Sequence, residues 1–140
     1  MSSSIISDVI PSQKGLVGLY DAVGWTAYTR DPPQLEQALR HSLYVCSAWR
    51  DDRLIGLARV VGDGLTIVYL QDVLVHPEAQ RTGIGRALVE AVFAPYADVR
   101  QHVLLTDDEP GQRAFYESLG FTETHDHVPP TRAFVRYHWT

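Results

Sequence analysis

The sequence predicts a mixed α/β domain whose sheet is mostly antiparallel and is flanked by helices. Three observations carry that prediction. Runs of strand period over residues 43–50, 54–61 and 65–75 are separated only by the short turns Asp51-Asp52-Arg53 and Asp63-Gly64, the pattern of three antiparallel strands in series. Apolar residues then recur at spacings of three and four (Ile84, Ala87, Leu88, Ala91, Val92), which marks an amphipathic helix. The chain has 140 residues, 45% hydrophobic and 21% charged, which suits one globular domain over residues 1–140.

Each element has a local reason. Residues 3–9 read as a short strand closed by Pro11. Ser12 is a helix N-cap, and Leu16, Val17, Leu19, Tyr20 and Val23 follow it, with Gly24 placed to stop the helix. Residues 24–28 form an aromatic loop, and Asp31-Pro32-Pro33 opens a second helix over residues 34–42. After the three central strands, a helix over residues 83–94 is ended by Pro95. Residues 102–106 make a short buried strand, and Pro110 sits where a helix first turn tolerates it. That helix reaches Leu119 and stops at Gly120. Residues 121–125 and 134–139 are expected as two last strands around Pro129-Pro130, so the predicted order is β-α-α-β-β-β-α-β-α-β-β.

Composition excludes several classes of function. Twelve Lys and Arg against seventeen Asp and Glu give a net charge of −5, which argues against nucleic-acid binding, where a basic footprint supplies most of the affinity. Apolar runs break well short of the ~20 residues needed to cross a bilayer, and Met1-Ser2-Ser3-Ser4 has no basic or apolar leader character. A membrane role is not expected. Cys46 is the single cysteine, so no internal disulfide forms and a reducing cytoplasm is expected. It lies in a strand and reads as a small core residue. His125 and His127 alternate around Asp126 without a third ligand pattern, so no metal site is expected.

The chemistry concentrates in residues 72–88. A strand ends at Val75-His76-Pro77, a polar loop follows, and Gly83 and Gly85 open a helix. Uncovered backbone there, the free N–H groups of a first helical turn and the positive end of its dipole together suit a phosphate or pyrophosphate. Arg81 and Arg86 add charge. A bare G-x-G would be a connection that binds nothing, and no Lys follows the second Gly as a nucleotide-binding loop requires. The longer pattern Gln80-x-x-Gly83-x-Gly85 after Val75-x-Pro77 resembles the acetyl-coenzyme-A signature of the GNAT N-acetyltransferase superfamily. A second stretch, Ala114-Phe115-Tyr116-Glu117-Ser118-Leu119-Gly120-Phe121, matches the F-Y-x-x-x-G-F run of the same superfamily.

This resemblance implies roles. The loop Gln80, Arg81, Thr82, Gly83, Ile84, Gly85 and Arg86 would cradle the pyrophosphate of acetyl-coenzyme A. Val73, Leu74 and Val75 would offer backbone hydrogen bonds to its pantetheine arm at a splay beside strand 102–106, with Phe115 also at the cofactor. Tyr116 would protonate the departing thiolate, as a phenol with an ordinary pKa near 10 can. One departure stands out: the Asn that many members carry seven residues before this tyrosine is Glu109 here. Asp107-Asp108-Glu109 reads either as helix-capping residues or as recognition of a cationic acceptor.

A neutral amine must attack, so a proton must leave it. Asp72, a carboxylate in an apolar strand, is the candidate base, and its Asp-Val-Leu-Val setting resembles the plant-type arylalkylamine (serotonin) branch. The alternative is a buried Asp satisfied by loop N–H groups. Period-two geometry puts Asp72 on the face opposite Tyr69, Gln71 and Val73, so water relayed near Gln71 is the other route. Tyr20, Trp25 and Tyr28 offer aromatic faces for an aryl or cationic amine, or they cover the core. The implied function is acetyl transfer to a small-molecule primary amine. The alternatives are a protein lysine or N-terminal acetyltransferase, and a non-catalytic acyl-coenzyme-A sensor. The β-prone run at residues 134–139 is a pairing template, and a homodimer is expected with that run or its neighbour 121–125 at or near the interface, the alternative being a monomer in which the run pairs within its own sheet.

Overall fold

Tight turns in the middle of the chain build the sheet. The computed structural model describes residues 3–138, which divide into two compact units, one ending at Leu105 and the other beginning at Thr106. In the first unit, β1 (Ser4–Ser7), β2 (Tyr44–Arg50), β3 (Arg53–Gly62) and β4 (Ile67–Val75) pair antiparallel in sequence order. β5 (Gln101–Leu104) joins β4 in parallel and completes a five-stranded sheet. Its order agrees with the predicted α/β class.

Helices cover both faces. α1 (Gln13–Ala22) starts at Ser12, whose hydroxyl accepts the Gly15 N–H at 3.1 Å. α3 (Pro32–Arg40) starts at Asp31, whose carboxylate accepts the Gln34 N–H at 3.1 Å. Leu16, Leu19, Tyr20, Leu35 and Leu39 from these helices pack on Val45, Leu54, Leu57 and Leu74 of the sheet. Burying each such aliphatic side chain contributes on the order of 1.5–3 kcal/mol. α4 (Ile84–Phe93) takes the other face, because Gly56 alternates with Leu57 and a Cβ on Gly56 would meet Leu88 at 2.9 Å and Ile84 at 3.3 Å. The missing side chain at Gly56 lets α4 lie close.

Two sequence expectations change. Residues 24–28 were expected as a loop, but Thr26–Thr29 forms a one-turn helix, α2, that tilts Tyr28 back toward α1. The two last strands are not formed among the described residues, and Trp139 lies outside them. In the second unit α5 (Pro110–Ser118) is followed instead by a 3-10 turn at Thr124–Asp126. The physical reason is local. Phe121 N–H bonds the Tyr116 carbonyl at 3.0 Å, while Arg113 on α5 holds Glu123 at 3.0 Å and Asp126 at 2.9 Å. These contacts fold residues 121–126 back on the helix. Residues 134–138 form no strand and no helix, and β propensity without a neighbouring strand does not make a strand.

Candidate active site

β4 serves the site in two directions. Toward β3, Arg59 and Asp72 are directly opposed, and the next pair is Val60 with Leu70, so Gln71 is an extra residue in a β-bulge. Toward β5, pairing runs only from Ile67–Gln101 to Leu70–Leu104. Val73, Leu74 and Val75 therefore pair with β3 alone, and among the described residues no strand pairs with their other edge.

Asp72 is buried, 3% exposed, on the face that α1 and α3 cover. Of the two readings of Asp72, the alternative of a buried carboxylate with its needs met holds in part, but side chains rather than loop N–H groups are its partners. Arg59 Nε donates to Oδ2 at 2.6 Å, Tyr20 Oη donates to Oδ2 at 2.9 Å, and Tyr28 Oη donates to Oδ1 at 3.0 Å. Arg59, itself 6% exposed, also reaches Ser42 Oγ at 3.3 Å. Burial alone would lower the Arg59 pKa, but the charge and hydrogen bond of Asp72 hold it above its ordinary value. Burial first, then the Asp72 charge, pushes the Tyr20 phenol well above its usual value and raises that of Tyr28 as well. Both phenols stay protonated donors at neutral pH.

The three aromatic residues expected at the acceptor site do assemble. Tyr20 meets Tyr28 edge-on with centroids 5.2 Å apart and Trp25 at 6.0 Å, while Trp25 and Tyr28 lie 6.2 Å apart. Gln71 Nε2 reaches Tyr28 Oη at 3.5 Å. The bulge thus brings Gln71 and Asp72 to one hydroxyl, although simple alternation placed them on opposite faces.

After β4 the chain makes one 3-10 turn, Pro77–Ala79, and then two left-handed residues, Arg81 (φ 63°) and Gly83 (φ 84°), before α4. Gly83 caps α4 without any side-chain bond, and nothing lies within 4 Å of where its Cβ would be. No capping side chain thus masks the first-turn N–H groups. The side chains of Gln80 and Thr82 stay in the loop, donating to Val75 O at 3.2 Å and Ala79 O at 2.6 Å. Arg86 pairs with Glu90 at 3.1 Å. A cleft of about 360 Å³ beside Thr82, Gly83 and Ile84 is also lined by Arg50, whose buried Nε has no hydrogen-bond partner. Sequence reasoning passed over both Arg50 and Arg59. An anion fits the donors that this loop presents.

In the second unit Tyr116 is buried, 8% exposed, and stacks edge-on with Phe115 at 4.9 Å and Phe121 at 6.0 Å. Burial raises its phenol pKa. Glu109 is the N-cap of α5 without a side-chain cap bond.

Comparison with known proteins places this geometry. The family model of the acetyltransferase (GNAT) domain matches residues 20–123. The chain belongs to that family. An uncharacterized N-acetyltransferase ycf52-like of Prochlorococcus marinus is 36% identical over 110 residues, covering 74% of this chain and 59% of that protein. A chloroplastic serotonin N-acetyltransferase 2 of Oryza sativa subsp. japonica is 32% identical, covering 71% of this chain and 52% of that protein. The chain thus spans between half and three-fifths of these two relatives' length. A GNAT-family acetyltransferase of Streptococcus pneumoniae has the same fold, with a TM-score of 0.85, 32% identity and 98% of each chain covered. Among the described residues no helix is long and apolar enough to cross a membrane.

A phenol whose folded pKa is raised contributes stability below its unfolded pKa, and that stability is lost as pH rises toward the folded value. Unfolding free energy from urea titrations is therefore expected to fall as pH climbs past about 10. In Tyr20→Phe the alkaline fall is expected to be shallower. An equal slope in both proteins would show that Tyr20 does not carry the effect.

Proposed function

We propose that this chain is an acetyl-coenzyme-A-dependent N-acetyltransferase acting on a primary amine of a small molecule, with one catalytic domain over residues 1–140. The observation that carries the reading is the uncapped, left-handed entry to α4 at the end of a strand whose β5-side edge is open. Backbone N–H groups from Arg81 to Arg86 bind the pyrophosphate, with the helix dipole behind them. Arg50 adds a cation at the same cleft. The open edge of Val73, Leu74 and Val75 takes the amides of the pantetheine arm, and Phe115 packs against the cofactor.

The amine nitrogen attacks the thioester carbonyl, the C–S bond breaks, and Tyr116 gives its proton to the leaving thiolate. Burial keeps the phenol protonated for that task. The amine's own proton leaves through water beside Gln71. Asp72 already accepts from three donors, so an arriving proton would compete with one of them, and we assign it to positioning rather than to the base. The aromatic group Tyr20, Trp25 and Tyr28 favours an aryl or cationic amine. The lone Cys46, buried beside Ser7, suits a reducing compartment such as the cytoplasm.

Gly83→Asp or Gly85→Asp places bulk and negative charge against the anion site, so coenzyme-A binding by calorimetry should be lost while the circular dichroism spectrum is kept. Unchanged affinity in the folded variant would remove the loop from the site. For Tyr116→Phe, turnover measured by thiol release should fall ~10²-fold with cofactor affinity little changed. A Phe variant with wild-type turnover would return Tyr116 to packing.

The homodimer belongs to the same proposal. Phe134 is 87% exposed, Val135 56% and Tyr137 58%, three large apolar side chains close together in sequence. Light scattering should give twice the chain mass of 15.7 kDa, and truncation after Arg132 should reduce it to the monomer. A native mass near 15.7 kDa at micromolar concentration would reject the dimer.

A further inference from the structure

The Asp72 cluster does something that satisfying a buried carboxylate does not require. It fixes the direction of two hydroxyl hydrogens. Tyr20 spends its hydrogen on Oδ2 and Tyr28 spends its own on Oδ1. Tyr20 is fully buried, so its orientation has no external consequence. Tyr28 is only half-buried, and with its hydrogen turned inward its oxygen presents lone pairs alone. The neighbouring Gln71 amide already approaches that oxygen as a donor, at 3.5 Å, which is long enough for a better donor to displace it. Trp25 lies alongside, 6.2 Å between ring centroids. This is a hydrogen-bond acceptor set in an aromatic wall.

We propose that Tyr28 Oη receives an N–H of the acceptor amine, and that Arg59 and Asp72 are positioning residues that hold this hydroxyl with its lone pairs outward. The proposal rests on the acetyltransferase reading above and names the polar contact that selects its substrate class, a primary amine on an aryl-bearing chain. Asp72 sets the polarity, because a carboxylate only accepts. Arg59 and Tyr20 share Oδ2, which leaves Oδ1 to Tyr28. Replacing Asp72 by Asn at equal size keeps an oxygen for Arg59 and turns an NH2 toward Tyr28. The phenol then accepts from Asn and directs its hydrogen outward, where it opposes an N–H donor. The side chain keeps its place while the recognition reverses.

The test uses 2-phenylethylamine titrated calorimetrically into the full chain saturated with coenzyme A, alongside steady-state kinetics with acetyl-coenzyme A. Tyr28→Phe and Asp72→Asn should each weaken amine binding about tenfold, as loss of one good hydrogen bond does. The KM for the amine should rise in parallel, kcat should change less than threefold, and coenzyme-A affinity should be unaltered. Arg59→Lys, which keeps a cation beside the buried Asp72, should lose less of the amine affinity than either of these variants. Unchanged amine affinity in folded Tyr28→Phe overturns the proposal. So does an Asp72→Asn protein whose kcat collapses at constant KM with loss of the acidic limb of its pH profile, because that outcome makes Asp72 the base. Absence of phenylethylamine binding to the wild-type protein also overturns it. Absence of coenzyme-A binding would instead overturn the function proposed above.

Discussion

A carboxylate buried in the middle of a sheet is the constraint around which the first unit is arranged. Asp72 and Arg59 face each other across β3 and β4, both nearly excluded from water. Taking two charges out of water costs several kcal/mol per ion, and their attraction offsets this only when the remaining donors and acceptors are also satisfied. The fold meets that condition with specific parts. α1 supplies the Tyr20 hydroxyl, the one-turn helix α2 supplies that of Tyr28, and Ser42 after α3 takes a second guanidinium N–H. Deleting either member of the pair leaves an uncompensated buried charge, a loss of about 3–5 kcal/mol in comparable cases. The positions of three helical segments relative to the sheet are therefore tied to one ion pair.

The same strand that buries this pair opens its backbone a few residues later. β5 leaves β4 after Leu70, just before the bulge at Gln71, so the strand changes from a fully paired element to a half-paired one within two residues. A bulge sharpens local twist, and twist is what separates two parallel neighbours. The chain then turns through the left-handed Arg81 and Gly83 into α4, whose first amides carry no side-chain cap. In an ordinary helix a Ser or Asp at that position would take those donors. With glycine there instead, the helix loses only about a few tenths of a kcal/mol, and its first amides stay available to an anion.

Much of this could be read from residue order, because it depends on local chemistry. Ser12 and Asp31 cap helices as their side chains dictate, and the hairpin turns set three strands in series. The glycine-marked turn into α4 was legible from the spacing of Gly83 and Gly85, and Asp72 was conspicuous as a charge in an apolar strand. Its partner was also conspicuous, since Arg59 interrupts the apolar run 54–61 in the same way, but pairing them needs the β3–β4 register. That register contains an extra residue, and period-two counting cannot see a bulge. It therefore assigned Gln71 and Asp72 to separate faces, whereas both reach Tyr28. The C-terminal residues failed for a different reason. Alternating β-branched and aromatic residues describe a strand's surface, while a strand also requires a neighbour with free backbone groups. At residues 121–126, ion pairs from Arg113 win over that tendency.

The net charge of the cluster bears on the chemistry proposed for it. An isolated carboxylate near an amine stabilises the protonated form, raising the amine's pKa and suppressing the neutral nucleophile that acyl transfer requires. An uncharged aromatic wall avoids that trap but gives no orientation to the nitrogen. Pairing Asp72 with Arg59 at 2.6 Å removes most of the field while keeping the carboxylate's geometry. What reaches the surface of the cluster is then a neutral phenol oxygen whose lone pairs are directed by a buried ion pair. Such a group can hold an N–H in place without favouring the ammonium ion over the amine. An unpaired Asp at position 72 would bind a cation more tightly and serve a nucleophile less well.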